Sequence, residues 1–202
     1  TKIQFKGEID LVSEVDEGAE ALIVDALTSA FPDDRIIAEE SGAHGHTERR
    51  TWYVDPLDGT TNFAHGFPHF CVSIGMLDPK GDGVGVVYEP IRDLMFSARA
   101  GQGTTLNNIP VGVSQTVELT RSLLATGFPY DRWTNPDNNS HRAVHLLRQC
   151  QGLRRAGAAA LDFAYVSAGW LDGYWEDRLK PWDCAAGIIL VQEAGGRVTD
   201  FS

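Results

Sequence analysis

The chain has 202 residues, of which 43% are hydrophobic and 22% charged, a composition typical of a globular protein with one sizeable core. Its formal net charge of −11 excludes an extensive basic surface, so we expect no nucleic acid partner. A phosphate-bearing substrate stays compatible with this charge, because bound cations can invert the local field. No apolar run reaches membrane-spanning length and no signal-peptide pattern opens the chain, so we expect no membrane association.

Cysteine usage points to a reducing compartment. The three cysteines, Cys71, Cys150 and Cys184, form no cluster with metal-ligand spacing. An odd, dispersed set of thiols is typical of reduced, buried cysteines, and it predicts a cytoplasmic protein.

Hydrophobic periodicity predicts a mixture of helices and strands along the chain. An early run of apolar residues at helical spacing ends before Pro32. In the middle of the chain, strand-like runs are separated by Gly, Pro and Asp. A late apolar helix ends at Gly195 and Gly196. The predicted helices cover 16–30, 141–149, 158–168 and 184–194. The predicted strands cover 35–38, 52–54, 70–77, 83–88, 94–98, 122–125 and 171–175, with one more beginning in 198–202. The polar segment 42–50 is predicted to be a mobile loop, and 70–98 an antiparallel meander.

Mixed connections between these elements favour a layered α+β fold over a simple βαβ series. No internal repeat, low-complexity tract or flexible linker divides the sequence. We therefore expect a single domain over 1–202.

The segment WYVDPLDGTTNF, residues 52–63, carries the strongest chemical signal. It places the carboxylates of Asp55 and Asp58 three residues apart, directly before the Gly59-Thr60-Thr61 run. Divalent cations such as Mg²⁺ prefer oxygen ligands and leave room for substrate phosphate. A Gly-Thr-Thr segment that opens a helix offers free backbone N–H groups to an anion. Because carboxylates would repel a phosphate held by those groups, the segment predicts a phosphate site bridged by metal ions.

Three segments resemble the inositol monophosphatase family of metal-dependent sugar phosphatases. They are the 52–63 segment, PWDCAAGIILVQEAGG at 181–196, and AEES at 38–41, and they follow the family's order and spacing. The resemblance implies the layered αβαβα sandwich shared with fructose-1,6-bisphosphatases. It also implies that the chain lacks the N-terminal helical segment and the C-terminal βα portion of the full family domain.

The resemblance also implies a set of metal ligands and three catalytic residues, Glu39, Thr60 and Asp55. Asp55 would bridge two metals, the Leu57 carbonyl would bind the first metal, and Asp58 and Asp183 would bind the second. The residues implied as ligands are Glu39, Asp55, Leu57, Asp58 and Asp183. Thr60 and Glu39 would orient and activate the attacking water. Two or three Mg²⁺ ions are implied, with Mn²⁺ as a substitute and Li⁺ as an inhibitor.

The resemblance also implies a set of phosphate and substrate contacts. The residues implied to bind phosphate or substrate are Asp58, Gly59, Thr60, Thr61, Gly157, Ala158, Ala159, Glu176 and Asp183. The family commonly carries Ser or Thr where this chain has Ala158, so one hydroxyl contact is lost here. Glu176 would accept a hydrogen bond from a substrate hydroxyl, and Asp16 would lie near a third metal.

Simpler structural roles stay open for several of these residues. Asp-Pro and Asp-Gly are common turn formers, and an acid at position 183 suits the start of a helix. Thr60 and Asp16 could be ordinary helix N-caps. Glu39 and Glu40 would point to opposite faces of an extended strand, so only one of them can face the metals.

The function predicted from these features is Mg²⁺-dependent hydrolysis of a small phosphate monoester, with inositol 1-phosphate as the first choice. Histidinol phosphate, fructose 1,6-bisphosphate, NADP and 3′-phosphoadenosine phosphates are alternative substrates within the same superfamily. A regulatory partner protein whose phosphatase activity is secondary is an alternative of a different class. A small sugar or polyol phosphate is the expected partner, and a homodimer the expected assembly.

Overall fold

The structure is a computed structural model that describes residues 3–5, 11–45 and 50–201, with side chains described from residue 14 onward. The helices are α1 (Glu14–Ala30), α2 (Thr60–Ala64), α3 (Ser140–Leu147), α4 (Ala159–Ser167) and α5 (Pro181–Glu193). The strands are β1 (Ile3–Phe5), β2 (Leu11–Ser13), β3 (Arg35–Ala38), β4 (Gly42–His44), β5 (Thr51–Asp58), β6 (Cys71–Leu77), β7 (Gly83–Glu89), β8 (Leu94–Arg99), β9 (Thr104–Leu106), β10 (Ile109–Val111), β11 (Leu123–Thr126), β12 (Gly152–Arg154) and β13 (Gly173–Trp175).

An eight-stranded mixed sheet forms the centre of the fold. Its strand order is β10-β9-β8-β7-β6-β5-β3-β4, and β3 and β5 are the parallel pair while the other neighbours are antiparallel. Strands β6, β7 and β8 form the predicted antiparallel meander. The β3–β5 pairing brings the ends of two strands to the same edge of the sheet, which places Glu39 beside the end of β5.

Helix α1 covers one face of this sheet. Ile23, Val24 and Leu27 pack against a core that includes Trp52 and Val54 of β5. Only this one face of the helix places apolar side chains against the sheet, as expected for a surface helix. Its first turns also bury two carboxylates, those of Asp16 and Glu20.

Helices α4 and α5 cover the other face, and α5 approaches the sheet unusually closely. A Cβ at Gly75 of β6 would lie 2.5 Å from the Ala186 backbone nitrogen and 2.8 Å from the Ala185 carbonyl carbon. These are backbone atoms, which cannot move aside as a flexible side chain can. Glycine in the sheet therefore sets the depth at which α5 lies, and α5 carries Asp183.

A second, parallel sheet lies beyond α4, with strand order β12-β11-β13. Buried Asn139, which precedes α3, fastens two of its strand ends. Its side-chain amide donates to the Gly127 carbonyl (2.6 Å) and to Thr126 Oγ1 (2.8 Å), and its Oδ1 accepts from Trp175 Nε1 (2.7 Å).

The layered α+β prediction is confirmed, and most predicted elements occur within a few residues of the expected positions. Three local predictions are wrong. The segment 42–50, predicted to be a loop, contains strand β4, and its residues 46–49 lie outside the described residues. Asp55 and Asp58 lie in the last part of a strand and do not form a turn. Residues 198–201, where a strand was predicted to begin, form no strand. The short strands β9, β10 and β12 were not predicted.

All three cysteines are free thiols, and Cys71 alone among them is fully buried. Within the described residues, no helix is both long and apolar enough to cross a bilayer.

Replacing Gly75 with alanine should destabilise the protein by about 2 kcal/mol or more, because the new methyl group overlaps the α5 backbone. Gly18→Ala is the matched control. Gly18 lies on α1 with nothing within 4 Å of a new Cβ, so this change should stabilise the protein by about 0.5–1 kcal/mol. Urea denaturation of both variants measures the difference, and equal stability of the two would contradict the close approach.

Candidate active site

A cleft of about 760 Å³ opens where the central sheet meets the N-terminal ends of α2, α4 and α5. Its wall includes most of the predicted site residues: Glu39, Asp55, Leu57, Asp58, Gly59, Thr60, Thr61, Gly157, Ala159, Glu176 and Asp183. Asp16 and Ala158 do not line it. Asp16 is buried behind Thr60, and the buried Ala158 methyl group belongs to the apolar core.

A one-residue irregularity in β5 explains why Asp55 and Asp58 face the same cleft. Residues three apart on a regular strand point to opposite faces. Here Asp55 pairs with Ser73 and Asp58 with Cys71, so β5 uses one residue more than β6 between the two pairs. Such a bulge re-aims a side chain, and it brings the two carboxylates to the same side.

Asp55 is 2% exposed, and its Oδ1 accepts a hydrogen bond from the Leu57 amide (3.0 Å). Burial, followed by the charges of Glu39, Asp58 and Asp183, raises the pKa of Asp55 well above its ordinary value. Its carboxyl group also lies within hydrogen-bonding reach of Glu39. The site therefore concentrates negative charge in a place where water solvates it poorly.

Asp58 connects the strand to helix α4. Its two oxygens accept hydrogen bonds from the amides of Ala159 (3.1 Å) and Ala160 (2.7 Å), which are among the unsatisfied donors of the helix start. Burial and then Asp183 raise the pKa of Asp58 to about 7 in spite of these bonds. Asp58 thus has a structural role as well as a position in the cleft.

Asp183 occupies the first turn of α5, where its Oδ2 accepts from the Lys180 amide (2.6 Å). Burial raises the pKa of Asp183 to about 6, although the bond from the Lys180 amide and the Lys180 charge oppose this. Asp183 therefore lies at the start of a helix, as one interpretation of the sequence predicted, and it also lines the cleft.

Glu39 lies on a turn after β3, so the argument from two faces of an extended strand does not apply. The turn is held by a residue that sequence reasoning missed. Buried Glu20 of α1 accepts hydrogen bonds from the amides of Glu40 (2.8 Å) and Ser41 (2.7 Å). Glu39 lines the cleft, whereas Glu40 is not among the described residues that do so.

Thr60 is the first residue of α2, and Gly59 is the N-cap, so the predicted capping role of Thr60 is wrong. The Thr60 hydroxyl lies 3.0 Å from the Leu57 carbonyl oxygen and 3.3 Å from Asp16 Oδ1. Both neighbours are acceptors, so the hydroxyl proton is directed to them and the lone pairs of Oγ1 are left for another donor. Asp16 lies inside α1 and is not its N-cap.

Gly59 has φ +93°, and a Cβ there would lie 3.0 Å from the His69 carbonyl oxygen and 3.3 Å from the Ala158 methyl carbon. Both the backbone conformation and the close packing require glycine at this position. The neighbouring Asn62 was not assigned a role from sequence. Its Nδ2 donates to the carbonyl oxygens of His69 (2.7 Å) and Ala156 (2.9 Å), which ties α2 to the loop before α4.

Glu176 follows β13 and lines the same cleft. Tyr174 Oη donates to its Oε2 (2.5 Å), and burial raises the pKa of Glu176. The segment 130–139, which carried no chemical signal in the sequence, contributes Tyr130, Asp131 and Arg132 to the wall. His65 lines the cleft and His69 is buried.

Within the described ranges, no group of three or more acidic, histidine or cysteine side chains is gathered closely enough to hold a metal ion as it stands. The donor set nevertheless fits a hard divalent cation. It consists of carboxylates and a main-chain carbonyl, and the charges raising the pKa of Asp55 come from three further carboxylates. A bound cation would supply the missing positive charge.

Comparison with known proteins shows the family of the chain. A sequence model described as the inositol monophosphatase family matches residues 2–202. An inositol-1-monophosphatase from Synechocystis is 50% identical over 99% of this chain and 70% of its own length. Nus factor SuhB from Salmonella typhimurium is 46% identical over 98% of this chain and 74% of its own length.

A solved structure of inositol monophosphatase from Anabaena superposes with a TM-score of 0.87 at 50% identity, covering 90% of this chain and 73% of that one. Sequence and fold therefore agree, and the chain belongs to the inositol monophosphatase family of phosphatases.

Proposed function

We propose that the protein hydrolyses a small phosphate monoester, with inositol 1-phosphate as its preferred substrate, in a reaction that depends on Mg²⁺. The observation that supports this most strongly is the convergence of Glu39, Asp55, Asp58 and Asp183 on one cleft that also contains the start of α2. Carboxylates crowded into a buried cleft have a high cost, and divalent cations with a phosphate offset it.

Glu39, Asp55, Asp58, Asp183 and the Leu57 carbonyl would hold the cations. When bound, a divalent cation neutralises phosphate charge, lowers the pKa of water and stabilises the leaving oxygen. Two or three Mg²⁺ ions are proposed, with Mn²⁺ as a substitute and Li⁺ as an inhibitor that competes for one of these positions. The role of Asp16 near a third metal stays a prediction.

The residues of the chain provide the rest of the mechanism. Glu39 would take a proton from the attacking water, and Thr60 Oγ1 would accept the second hydrogen bond of that water, since its own proton is directed to Leu57 and Asp16. The start of α2 would hold the phosphate through the amides of Gly59, Thr60 and Thr61. Glu176 would accept a hydrogen bond from a hydroxyl group of the leaving group. No covalent enzyme intermediate is needed.

A second function is favoured by one specific observation, the 46% identity to relatives named Nus factor SuhB. In that case the chain would act mainly as a regulatory partner of another protein, with secondary phosphatase activity. The exposed Trp170 (46%) is a residue that such a partner, or the second copy in the predicted homodimer, could cover.

A substrate panel tests the main proposal. We expect kcat/KM for inositol 1-phosphate to exceed that for histidinol phosphate, fructose 1,6-bisphosphate, NADP and 3′-phosphoadenosine 5′-phosphate by about tenfold, or about 1.4 kcal/mol. EDTA should abolish activity, Mn²⁺ should restore part of it, and Li⁺ should inhibit. A different best substrate would refute only the choice of inositol phosphate, whereas no hydrolysis of any ester with Mg²⁺ would favour the partner role.

Glu39→Gln should lower kcat by roughly 10²- to 10⁴-fold with little change in KM, because the residue acts on water and not on substrate. Glu40→Gln is the matched control, since that neighbouring carboxylate does not line the cleft, and it should keep nearly normal kcat. Steady-state kinetics with saturating Mg²⁺ measures both. A normal kcat with a raised KM in Glu39→Gln would show that another base had been overlooked.

The stability of metal-free protein should fall as the pH rises from about 4 to about 7. Asp58 has a pKa of about 7 when folded against an ordinary value of 3.8, so the folded state binds its proton more tightly than the unfolded chain does. The stabilising proton is fully bound near pH 4 and is lost as the pH passes 7. Asp183, with a folded pKa of about 6, acts in the same direction.

Thermal unfolding in EDTA across this pH range measures the effect. Saturating Mg²⁺ should raise Tm and remove most of the slope, because the cation replaces the lost protons. Asp55→Asn removes one of the crowded charges and should flatten the slope in EDTA. A metal-free protein that becomes more stable towards pH 7 would contradict the proposed crowding of carboxylates.

A further inference from the structure

Helix α1 contacts two different elements of the cleft through buried carboxylates. Asp16 and Glu20 are 1% and 3% exposed, and they lie one turn apart on the same face of the helix. Asp16 Oδ1 lies 3.3 Å from Thr60 Oγ1 at the start of α2. Glu20 accepts hydrogen bonds from the amides of Glu40 (2.8 Å) and Ser41 (2.7 Å) in the turn after β3. One helix therefore bonds to both elements that supply the proposed water-activating groups.

The turn between β3 and β4 consists of residues 39–41, and its two ends are bonded to different elements. The Glu39 amide donates to the Val54 carbonyl of β5 (3.1 Å). The next two amides, those of Glu40 and Ser41, donate to Glu20 of α1. The backbone on both sides of the Glu39 side chain is therefore fixed, which limits the directions that this side chain can take into the cleft.

A carboxylate suits the two turn amides better than a neutral side chain does. It has acceptors only, so each oxygen of Glu20 receives one amide hydrogen. Hydrogen bonds to an ionised acceptor are also roughly twice as strong as those between neutral groups. A glutamine at this position would turn its NH₂ group towards one of the amides, so two donors would face each other. Glu20→Gln therefore disturbs the turn with almost no change in side-chain volume.

Helix α1 is itself fixed to strand β5. Apolar residues of the helix that follow Glu20 pack against a core that includes Val54. Val54 is also the residue whose carbonyl accepts from the Glu39 amide. Helix, strand and turn are therefore joined in a closed set of contacts, and a change at Glu20 would be transmitted to Glu39.

We propose that Glu20 is a positioning residue for the hydrolysis: it holds the turn so that Glu39 lies at the distance from Thr60 that one attacking water can span. Glu20 is not among the described residues that line the cleft, so it acts through the turn amides. This inference rests on the function proposed above, in which Glu39 takes the proton of that water. The effect falls on kcat, because the spacing concerns the attacking water and not the binding of substrate.

Glu20→Gln tests the proposal, with Asp34→Asn as the matched control. Asp34 is a carboxylate of similar burial (5% exposed) that also accepts two hydrogen bonds, from Arg50 Nε and Trp52 Nε1 (both 2.9 Å). It precedes β3, whereas Glu39 follows that strand, so the control disturbs the end of β3 that is remote from the cleft.

Both variants should unfold at lower urea concentrations than the wild type, because each leaves a buried donor without its acceptor. Only Glu20→Gln should lower kcat, roughly ten- to hundredfold for the best substrate of the panel at saturating Mg²⁺, with KM changed by less than about threefold. A normal kcat in Glu20→Gln, or an equal loss of kcat in Asp34→Asn, would overturn the proposal.

Glu20→Asp is a second variant, which decides the question if Glu20→Gln does not fold. It keeps both acceptor oxygens on a side chain that is one methylene shorter, so the turn must shift towards α1 to keep its bonds. We expect kcat to fall at least about threefold with KM unchanged, since small displacements of a catalytic group have large effects on rate. An unchanged kcat would count against positioning by Glu20.

A double-mutant cycle with Glu39→Gln separates positioning from general support of the fold. If Glu20 acts through Glu39, then Glu20→Gln should lower kcat by less than about threefold once Glu39 is already replaced. The same ten- to hundredfold loss in both backgrounds would show that Glu20 supports catalysis by another route, and it would overturn the proposal.

Binding of Mn²⁺ alone, measured by electron paramagnetic resonance, distinguishes this inference from the proposed function. If the wild type hydrolyses no ester with Mg²⁺, the proposed function fails, and the positioning of Glu39 is judged by this binding. Glu20→Gln should then weaken Mn²⁺ binding at least about threefold in the wild-type background and leave it unchanged in Glu39→Gln. Equal weakening in both backgrounds, no weakening, or a wild type that binds no Mn²⁺ would overturn the inference.

Discussion

Repulsion among buried carboxylates is the constraint on which the site depends. Asp55 is 2% exposed, and its pKa is raised by burial and by three neighbouring acids. A positive charge in the cleft would therefore be strongly favoured. Lys180 is the cation that opposes the rise in pKa at Asp183, through its charge and its backbone amide. Bound protons offset part of this cost in the metal-free protein, and the proposed binding of divalent cations would offset it at neutral pH, which would link the energetics of the fold to the chemistry of phosphate hydrolysis.

The scaffold holds these groups with ordinary structural devices. The bulge in β5 turns Asp55 and Asp58 to the same side, Glu20 holds the turn that carries Glu39, and the N-terminal amides of α4 fix Asp58. The glycine contacts beneath α5 set the depth of the helix that carries Asp183. Each device positions one or two of the acids, and together they bring four carboxylates that repel one another to one cleft.

Much of the fold could be predicted from the sequence where periodicity was strong, as in α1, β3 and the β6–β8 meander. Three-residue strands such as β9 and β12 show no such pattern, since their pairing depends on neighbours distant in the chain. The Asp-Pro-Leu-Asp-Gly sequence resembles a turn, and only the pairing with β6 shows that it is a bulged strand end. Glu20 and Asn139 are single polar residues in unremarkable contexts, and their roles come entirely from tertiary contacts. The proposed metal ligands could be named because a motif carried them.

Anomalous diffraction from crystals grown with Mn²⁺ and phosphate tests the central claim most directly, because it locates the metal without relying on turnover. The account predicts anomalous peaks within coordination distance of the carboxylates of Asp55 and Asp58, with phosphate at the start of α2, and loss of those peaks in Asp55→Asn crystals. Crystals that show no manganese in the cleft, or manganese bound elsewhere with the cleft empty, would contradict the claim that these acids form a metal-dependent phosphate site.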